Sequence, residues 1–282
     1  MSALTLSTMM TNIDDIRLIV TDMDGTLLDG QRQLPVGLAT AVESLATRGI
    51  DWAIASGRQL ANLKDVLKQA HLDFDIIAEN GSLASLKGED EPFFKDLTPA
   101  SFFKEILQAS LTIPGASPVL CGPKNAWIHD AYPEDHPIIQ RYFSYAETWH
   151  LLEEILSVEV CKIAVYHPQA AEALWPVLGP YDSEACKVII SSDHWIDIQP
   201  SRIHKGNGLQ ALLKKHHLRP DQAIVFGDYL NDAEMMTIGT HAVAMGNAHP
   251  DLRVLCQHTT RTNTEDGVLW YLREIGLLPQ NI

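Results

Sequence analysis

The chain has 282 residues, enough for two domains of average size, although large single α/β domains also reach this length. Its composition, with 46% hydrophobic and 20% charged residues, is that of an ordinary globular protein and argues against extensive disorder. The formal net charge of −15 excludes nucleic acid and anionic membranes as expected partners, because binding their phosphates requires clustered Lys and Arg.

The first part of the chain alternates strand and helix patterns after a short leader. Residues 2–12 have no basic residue ahead of a hydrophobic block, so we expect a poorly ordered leader rather than a secretory signal. The connections between the next elements are short, which implies right-handed crossovers and a parallel sheet. In order, the pattern predicts a strand at 16–20, a helix between Pro35 and Gly49, a strand at 50–55, a helix around 60–67 and a strand at 74–78.

The pattern changes between residues 82 and 198, where Pro and Gly breaks separate aromatic clusters and short hydrophobic runs. Hairpin-like strands with helices between them are typical of an α+β unit. The runs predict strands at 119–121, 126–129, 160–166 and 187–191, and helices near 99–110, 133–146 and 168–178.

The alternation of helices and strands returns after residue 198. It predicts a helix at 206–217, a strand at 223–226, a helix near 232–238, a strand at 241–244 and a final helix at 266–275. The expected fold class is α/β, a Rossmann-like doubly wound parallel sheet with an inserted α+β cap domain. We expect residues 1–83 and 198–282 to form the core, and residues 84–197 to form the cap, which would set substrate specificity.

The cysteines and the hydrophobicity of the chain bear on its location. The four cysteines are widely separated, and no Cys-x-x-Cys pair suggests a zinc or redox site. No apolar run approaches the roughly 20 residues that cross a bilayer. We therefore expect a cytoplasmic protein with buried thiols and no membrane segment.

The first group of polar residues at a predicted strand end is Asp22-Met23-Asp24-Gly25-Thr26. Its two carboxylates, which have one residue between them, project from the carboxyl edge of the sheet, where ligands of open α/β sheets bind. Gly25 permits a tight turn, and Thr26 offers a hydroxyl group. Asp and Gly are ordinary turn residues, but a turn rarely needs two carboxylates and a Thr in this order. The group therefore favours a functional site.

The second and third groups contain residues suited to binding a phosphate. Ser56-Gly57-Arg58 offers a hydroxyl and backbone N–H groups where a strand meets a helix. Such an arrangement at a helix N-terminus is well suited to binding phosphate. Ser56 on its own would be equally consistent with a simple helix N-cap. Lys205 stands at the start of the helix predicted at 206–217, where the helix dipole disfavours a cation unless an anion is near. Taken alone, it would be a solvated surface residue.

The fourth group, Asp228 to Asp232, follows the predicted strand at 223–226 and includes Asn231. Its two carboxylates should meet the first pair across the sheet end, and clustered carboxylates repel one another unless a cation or a proton intervenes. Oxygen ligands with an open face suit Mg²⁺ better than zinc. Asp232 is also a candidate N-cap, a role that is compatible with metal binding.

In this order, the four groups closely resemble the motifs of the haloacid dehalogenase-like superfamily of phosphotransferases. The insertion between the second and third groups occupies the cap position of the Cof-type branch. The resemblance runs from about residue 16 to 272, and it is strong in the core and weak in the cap. Local stretches that agree with the branch, and with its bacterial sugar phosphatases, are 79–81, 120–122, 195–198, 231–235 and 244–248.

The resemblance implies a Mg²⁺-dependent phosphatase for small phosphate monoesters, with sugar phosphates as the leading candidates. Asp22 would attack phosphorus and form a phospho-aspartate, and Asp24 would act first as general acid and then as general base. The implied metal ligands are Asp22, Asp24 through its backbone carbonyl, Asp228 and Asp232. The implied substrate-binding residues are Ser56, Gly57, Lys205 and Asn231.

Two other functions remain open. A phosphosugar mutase of the same superfamily would carry the same motifs and also a cap. A non-catalytic phosphometabolite-binding protein would be expected to lack at least one of Asp22, Asp24, Lys205 or Asp228, and all four are present. A cap that closes over the site favours a small phosphorylated metabolite over a phosphoprotein, because it excludes large chains.

Overall fold

The structure is a computed structural model that describes residues 13–143, 145–239 and 241–281. The predicted leader, residues 2–12, therefore lies outside the described residues. The chain forms two compact units. One comprises the residues up to Ile54 together with those from Leu212 onward, and the other runs from Ala55 to Ala211.

The described residues contain both strands and helices. The strands are β1 (Leu18–Asp22), β2 (Asp51–Ala55), β3 (Asp75–Ala78), β4 (Leu83–Ser85), β5 (Phe94–Lys95), β6 (Thr98–Pro99), β7 (Ser117–Cys121), β8 (Ala126–His129), β9 (Ala146–Trp149), β10 (Glu159–Val160), β11 (Lys162–Tyr166), β12 (Cys186–Ser192), β13 (Trp195–Pro200), β14 (Ala223–Gly227), β15 (His241–Ala244) and β16 (His258–Thr259). The helices are α1 (Leu38–Thr47), α2 (Leu60–Gln69), α3 (Lys104–Ser110), α4 (His136–Ile139), α5 (Leu152–Ile155), α6 (Trp175–Leu178), α7 (Lys205–Lys215), α8 (Ala233–Ile238), α9 (Pro250–Arg253) and α10 (Gly267–Glu274).

The first unit contains a sheet with the strand order β16-β15-β14-β1-β2. β1 pairs in parallel with β14, β14 with β15, and β15 with β16. Every residue of β1 and of β14 is buried, as expected for central strands of a parallel sheet that is covered on both faces. Both strands end in the polar groups singled out in the sequence, so those groups share one edge of the sheet.

The second unit contains a six-stranded sheet with the order β12-β13-β11-β7-β8-β9, antiparallel except for the β8–β9 pair. Side chains alternate between its two faces. Ile163 and Val165 of β11 pack with α3, α5 and α6 in a core on one face. Lys162 and Tyr166 of β11 therefore point to the opposite face. Outside this sheet, β3, β4 and β5 form an antiparallel meander.

The prediction of an α/β fold is confirmed, and the main corrections fall in the predicted α+β segment. The helix predicted at 133–146 is wrong in extent: α4 ends at Ile139, and residues 146–149 form β9. The strand predicted at 160–166 is divided into β10 and β11, which pair with different partners. Among the described residues, no helix is long and apolar enough to cross a membrane.

Candidate active site

Three aspartate side chains converge in the first unit. Asp22 is the last residue of β1, Asp228 follows β14, and Asp232 immediately precedes α8. One carboxylate oxygen of each lies within 4.8 Å of the corresponding oxygens of the other two. Asp22 and Asp232 are buried and Asp228 is half-buried. The cluster follows from the topology, because β1 and β14 are parallel neighbours whose carboxyl ends meet at one edge.

Asp228 is held in place by residues of the first motif. Thr26 Oγ1 donates a hydrogen bond to Asp228 Oδ1 at 2.9 Å. Gly25 has a positive φ of 83°, and a side chain at this position would collide with the Asp228 carboxylate. Glycine is therefore required here both for backbone conformation and for close approach. The first and fourth motifs are therefore in close contact at the Asp228 carboxylate.

Asn247 is a site residue that the sequence analysis did not assign. Its Nδ2 donates to the backbone oxygen of Gly25 at 2.8 Å and lies 3.5 Å from Asp228 Oδ2. It thus bridges the first and fourth motifs. The sequence could have indicated Asn247 by its position, because it lies three residues after β15 and within the stretch 244–248, which resembles the family.

Asp232 also organises the backbone of its own turn. Its Oδ2 accepts hydrogen bonds from the backbone N–H groups of Asp228 at 3.0 Å and Tyr229 at 3.2 Å. Asp232 also stands at the N-cap position of α8, as the sequence allowed, but its side chain makes no capping hydrogen bond to that helix and instead holds the preceding turn. Asn231 lies in the same turn and is half-buried.

The donor set fits a magnesium ion. It consists of three carboxylates with no sulfur or imidazole nitrogen, and one of them is half-exposed, so water could complete the coordination sphere. Three carboxylates this close together also repel one another strongly unless a cation or protons compensate them. Asp24, the fourth predicted ligand, is exposed and its carboxylate is not part of the cluster. This agrees with a role through its backbone carbonyl.

The predicted phosphate-binding residues of the second unit lie around a strained turn at residues 79–81. The amide oxygen of Asn80 lies 2.9 Å from the position that a Cβ on Gly57 would occupy. On the other side of the turn, a Cβ on Gly81 would collide with the His204 carbonyl, next to Lys205. The turn therefore contacts both the Ser56–Gly57 loop and the start of α7. Ser56 and Lys205 are both buried.

Comparison with known proteins decides the family. Residues 19–272 match the family model described as haloacid dehalogenase-like hydrolase. The chain belongs to this family. The resemblance deduced from the motifs is thereby confirmed, and the expected fold class with it.

Relatives of this haloacid dehalogenase-like hydrolase include phosphatases. The 5-amino-6-(5-phospho-D-ribitylamino)uracil phosphatase of Escherichia coli is 27% identical over 266 residues, covering 90% of this chain and 94% of its own. The HMP-PP phosphatase of Cronobacter sakazakii is 26% identical, with coverages of 86% and 88%. A crystal structure of a haloacid dehalogenase-like hydrolase from Bacteroides thetaiotaomicron is 21% identical, has a TM-score of 0.77 and is matched over 99% of its length and 92% of this chain.

These findings establish the type of enzyme. A chain of this family, matched along nearly all its length by proteins named as phosphatases, is a phosphoric monoester hydrolase. The individual roles of Asp22, Asp24, Ser56 and Lys205 stay predictions.

Proposed function

We propose that this enzyme hydrolyses phosphate monoesters of small metabolites, above all sugar phosphates, with Mg²⁺ and through a phospho-aspartate on Asp22. The observation that carries the proposal is the convergence of Asp22, Asp228 and Asp232 at the ends of β1 and β14. The Escherichia coli relative supports the substrate class, because its name specifies a phosphorylated molecule with a ribityl chain.

The carboxylate of Asp22 is the nucleophile in this proposal. Its oxygen forms a bond to phosphorus as the bond from phosphorus to the leaving oxygen breaks, which gives an acyl phosphate. Asp22 is buried at the end of a buried strand, so its side chain is held in place for an in-line attack. The Asp22 carboxylate is regenerated when water attacks the phosphorus and releases inorganic phosphate.

Asp24 is the general acid of the first step and the general base of the second. It gives a proton to the departing alkoxide, and the resulting carboxylate then takes a proton from the attacking water. Exposure of Asp24 suits this role, because the same carboxyl group must reach first the leaving group and then water. The sum of the two steps consumes one water and restores both aspartates.

The remaining predicted residues would bind and neutralise the phosphoryl group. Asp22, Asp228, Asp232 and the Asp24 carbonyl would hold Mg²⁺, which would supply positive charge next to the phosphoryl oxygens. Ser56, Lys205 and Asn231 would donate hydrogen bonds to those oxygens, and Gly57 would supply a backbone N–H group. The net charge of −15 makes such local donors necessary, since the molecule as a whole repels an anionic substrate.

The proposal extends to the rest of the molecule. Residues 84–197 would act as a cap that selects the leaving group, and residues 1–83 and 198–282 would carry the chemistry. We place the enzyme in the cytoplasm, without nucleic acid or membrane partners. In support, the four cysteines form no disulfide in the described residues, and the charge is strongly negative.

An aryl phosphate assay tests the chemistry. The protein should release phosphate from p-nitrophenyl phosphate with Mg²⁺ in the millimolar range and lose this activity after chelation. Asp228→Asn should raise the Mg²⁺ concentration for half-maximal activity by ~10-fold or more, since it removes one anionic ligand. Undiminished turnover after exhaustive metal removal would contradict the mechanism.

A screen of phosphorylated metabolites tests the substrate class and the two alternatives. Sugar phosphates should be the best substrates. Isomerised product that forms only when a bisphosphate activator is added would instead show a mutase. Tight binding of phosphometabolites without any turnover would show a binding protein.

A further inference from the structure

A buried cluster of three charged side chains lies beside the Ser56–Gly57 loop in the second unit. The ammonium group of Lys162 donates hydrogen bonds to Asp197 Oδ2 at 2.6 Å and to the Gly57 carbonyl oxygen at 2.8 Å. It also lies 3.4 Å from Glu79 Oε2. All three charged side chains are buried, and Glu79 is completely so.

Stability alone does not account for this cluster. Taking an ammonium group and two carboxyl groups out of water is unfavourable, and buried ion pairs often contribute no more than apolar residues of similar volume. Burial by itself lowers the pKa of Lys162, but the negative charges of Asp197 and Glu79 outweigh it and raise this pKa. The Lys162 side chain is therefore charged at neutral pH. Its full positive charge lies in hydrogen-bond contact with the Gly57 carbonyl oxygen.

That carbonyl is the middle one of three that are held in succession. The carbonyl of Ser56 accepts a hydrogen bond from the Asn80 N–H, and that of Arg58 accepts one from the Glu79 N–H, both at 3.1 Å. Glu79 and Asn80 have φ values of 49° and 53°, in the left-handed region that is uncommon for residues other than glycine, although Asn adopts it more readily than Glu. The Gly57 carbonyl, between these two, is held by the Lys162 side chain.

Through this carbonyl, Lys162 reaches the Ser56 hydroxyl. The Gly57 carbonyl and the Arg58 N–H belong to one planar trans peptide group, so they point in opposite directions and move together. The Arg58 N–H donates to Ser56 Oγ at 3.2 Å. With Oγ accepting this bond, the hydroxyl proton points elsewhere and can be donated to a phosphoryl oxygen. A cation on the carbonyl also polarises the peptide and strengthens the N–H donor.

We propose that Lys162 is a positioning residue for phosphate binding, which fixes the Gly57–Arg58 peptide and thereby the Ser56 hydroxyl, with Asp197 and Glu79 holding its ammonium group. The inference rests on the proposed role of Ser56 as a phosphate ligand. It assigns to the predicted cap segment, which contains Lys162 and Asp197, a part in phosphate affinity as well as in the choice of leaving group.

A double-mutant cycle tests whether Lys162 acts through Ser56. The measured quantities are KM and kcat for p-nitrophenyl phosphate with Mg²⁺, and the inhibition constant of inorganic phosphate. Lys162→Met should raise the inhibition constant by about 10-fold, the effect of losing one well-placed hydrogen bond, and raise KM more than it lowers kcat. In a Ser56→Ala background, the same change should alter the inhibition constant by less than about 2-fold.

Matched variants separate this role from a general loss of structure. Lys187→Met removes an exposed lysine of β12 in the same sheet and should leave all three constants unchanged. Lys162→Arg retains the charge and the donors and should restore most of the phosphate affinity. If Lys162→Met does not fold, because it leaves two buried carboxylates without a cation, the pair Lys162→Met with Asp197→Asn removes one of those charges. This pair should show the same dependence on Ser56.

The outcomes distinguish the two proposals. If Ser56→Ala weakens phosphate binding and Lys162→Met adds its full effect in that background, the positioning role is overturned while the proposed function stands. Unchanged phosphate inhibition in Lys162→Met would overturn it equally. If Ser56→Ala leaves phosphate inhibition unchanged, Ser56 is not a phosphate ligand. The positioning role of Lys162, which depends on that assignment, is then also wrong.

Discussion

Glu79 is fully buried, an environment far from that of an ordinary carboxylate. Burial raises its pKa from 4.5 to about 7, the positive charge of Lys162 limits the rise, and the negative charge of Asp197 adds to it. The Lys162 ammonium group lies 3.4 Å from Glu79 Oε2. In the native state Glu79 therefore titrates close to neutral pH, far above the range of an unfolded chain.

This shift makes stability depend on pH with a definite sign. Between pH 4.5 and 7 the native state binds more protons than the unfolded state, so the contribution of Glu79 falls as pH rises through this window. Glu79→Gln removes the titration. Its free energy of unfolding should therefore improve relative to wild type by about 2–3 kcal/mol between pH 5 and pH 8.

Urea unfolding at the two pH values measures the effect. Glu89→Gln, a change of an exposed glutamate near the same strands, serves as the control and should show no such trend. A difference between Glu79→Gln and wild type that is the same at both pH values would show that the buried carboxyl group does not change its protonation in this range.

The two aspartates of the first motif should fail in different ways. Asp22→Asn removes the nucleophile, so both turnover and covalent phosphate on the protein should disappear. Asp24→Asn keeps the nucleophile and the backbone carbonyl but loses the proton donor. Hydrolysis of sugar phosphates should then drop by ~10²-fold or more, because an alkoxide leaving group needs that proton.

An aryl leaving group departs with little help, so with p-nitrophenyl phosphate the first step should suffer less in Asp24→Asn. The second step, which needs the base, should become limiting, and phosphate should accumulate on Asp22. Mass spectrometry of both variants after brief mixing with this substrate and Mg²⁺ tests the assignment. Equal covalent labelling of Asp22→Asn and Asp24→Asn would show that the roles are wrong.

Some of the site could be predicted residue by residue, and some could not. Asp22, Asp228 and Asp232 follow strand patterns, and the parallel order of strands brings such positions to one edge. Lys162 has no comparable signal, because it begins a strand whose other residues are apolar. Its partners come from three distant parts of the chain, and their meeting depends on tertiary packing that leaves no local pattern.

At the scale of elements, the packing of α7 on β3 is unusually close. Gly208 of α7 is buried, and a Cβ at this position would collide with the side chain of Ile77, which is itself fully buried in β3. Ile is branched at Cβ and cannot easily move aside. The absence of a side chain at position 208 thus sets the distance between helix and strand, and α7 begins at Lys205.

Gly208→Ala should therefore destabilise the protein by roughly 1–3 kcal/mol, although Ala is the better helix former by about 1 kcal/mol. Gln210→Ala, at an exposed position of the same helix, should be nearly neutral. In an Ile77→Ala background, itself less stable, the cost of Gly208→Ala should largely vanish. Urea unfolding of the four variants checks this, and a stabilised Gly208→Ala would contradict the close packing.

Elements with strong periodicity were predicted well, and those with mixed patterns were not. β15 and β8 have the predicted bounds, and α1 buries Leu38, Ala41 and Leu45 at helical spacing. The helix predicted at 133–146 ends at Ile139, and its last predicted residue, Ala146, is instead the first residue of β9, which pairs with β8. The polar pattern of this stretch could not show that pairing, since a strand at a sheet edge is stabilised by its neighbour.

At the scale of the whole molecule, the compact units do not coincide with the division predicted at residues 84–197. The second compact unit extends beyond this segment on both sides, from Ala55 to Ala211. Its contacts include the hydrogen bonds from Lys162 to Gly57 and Asp197 and the ion pair between Lys162 and Glu79. Residues 55–83 thus pack with the predicted cap, although their sequence has the alternating strand and helix pattern of the predicted core.

Replacing residues 84–197 by a short flexible linker tests the predicted division directly. We expect the shortened chain to fold and to hydrolyse p-nitrophenyl phosphate, because Asp22, Asp24, Asp228 and Asp232 all remain. Discrimination among sugar phosphates should be lost with the cap. The shortened chain also lacks Lys162, so its KM for the aryl phosphate should rise at least as much as in Lys162→Met. Circular dichroism and thermal melting report folding independently of activity. A chain that is unfolded by these measures would show that residues 55–83 depend on the insertion, and that the boundary predicted from the sequence divides a single cooperative unit.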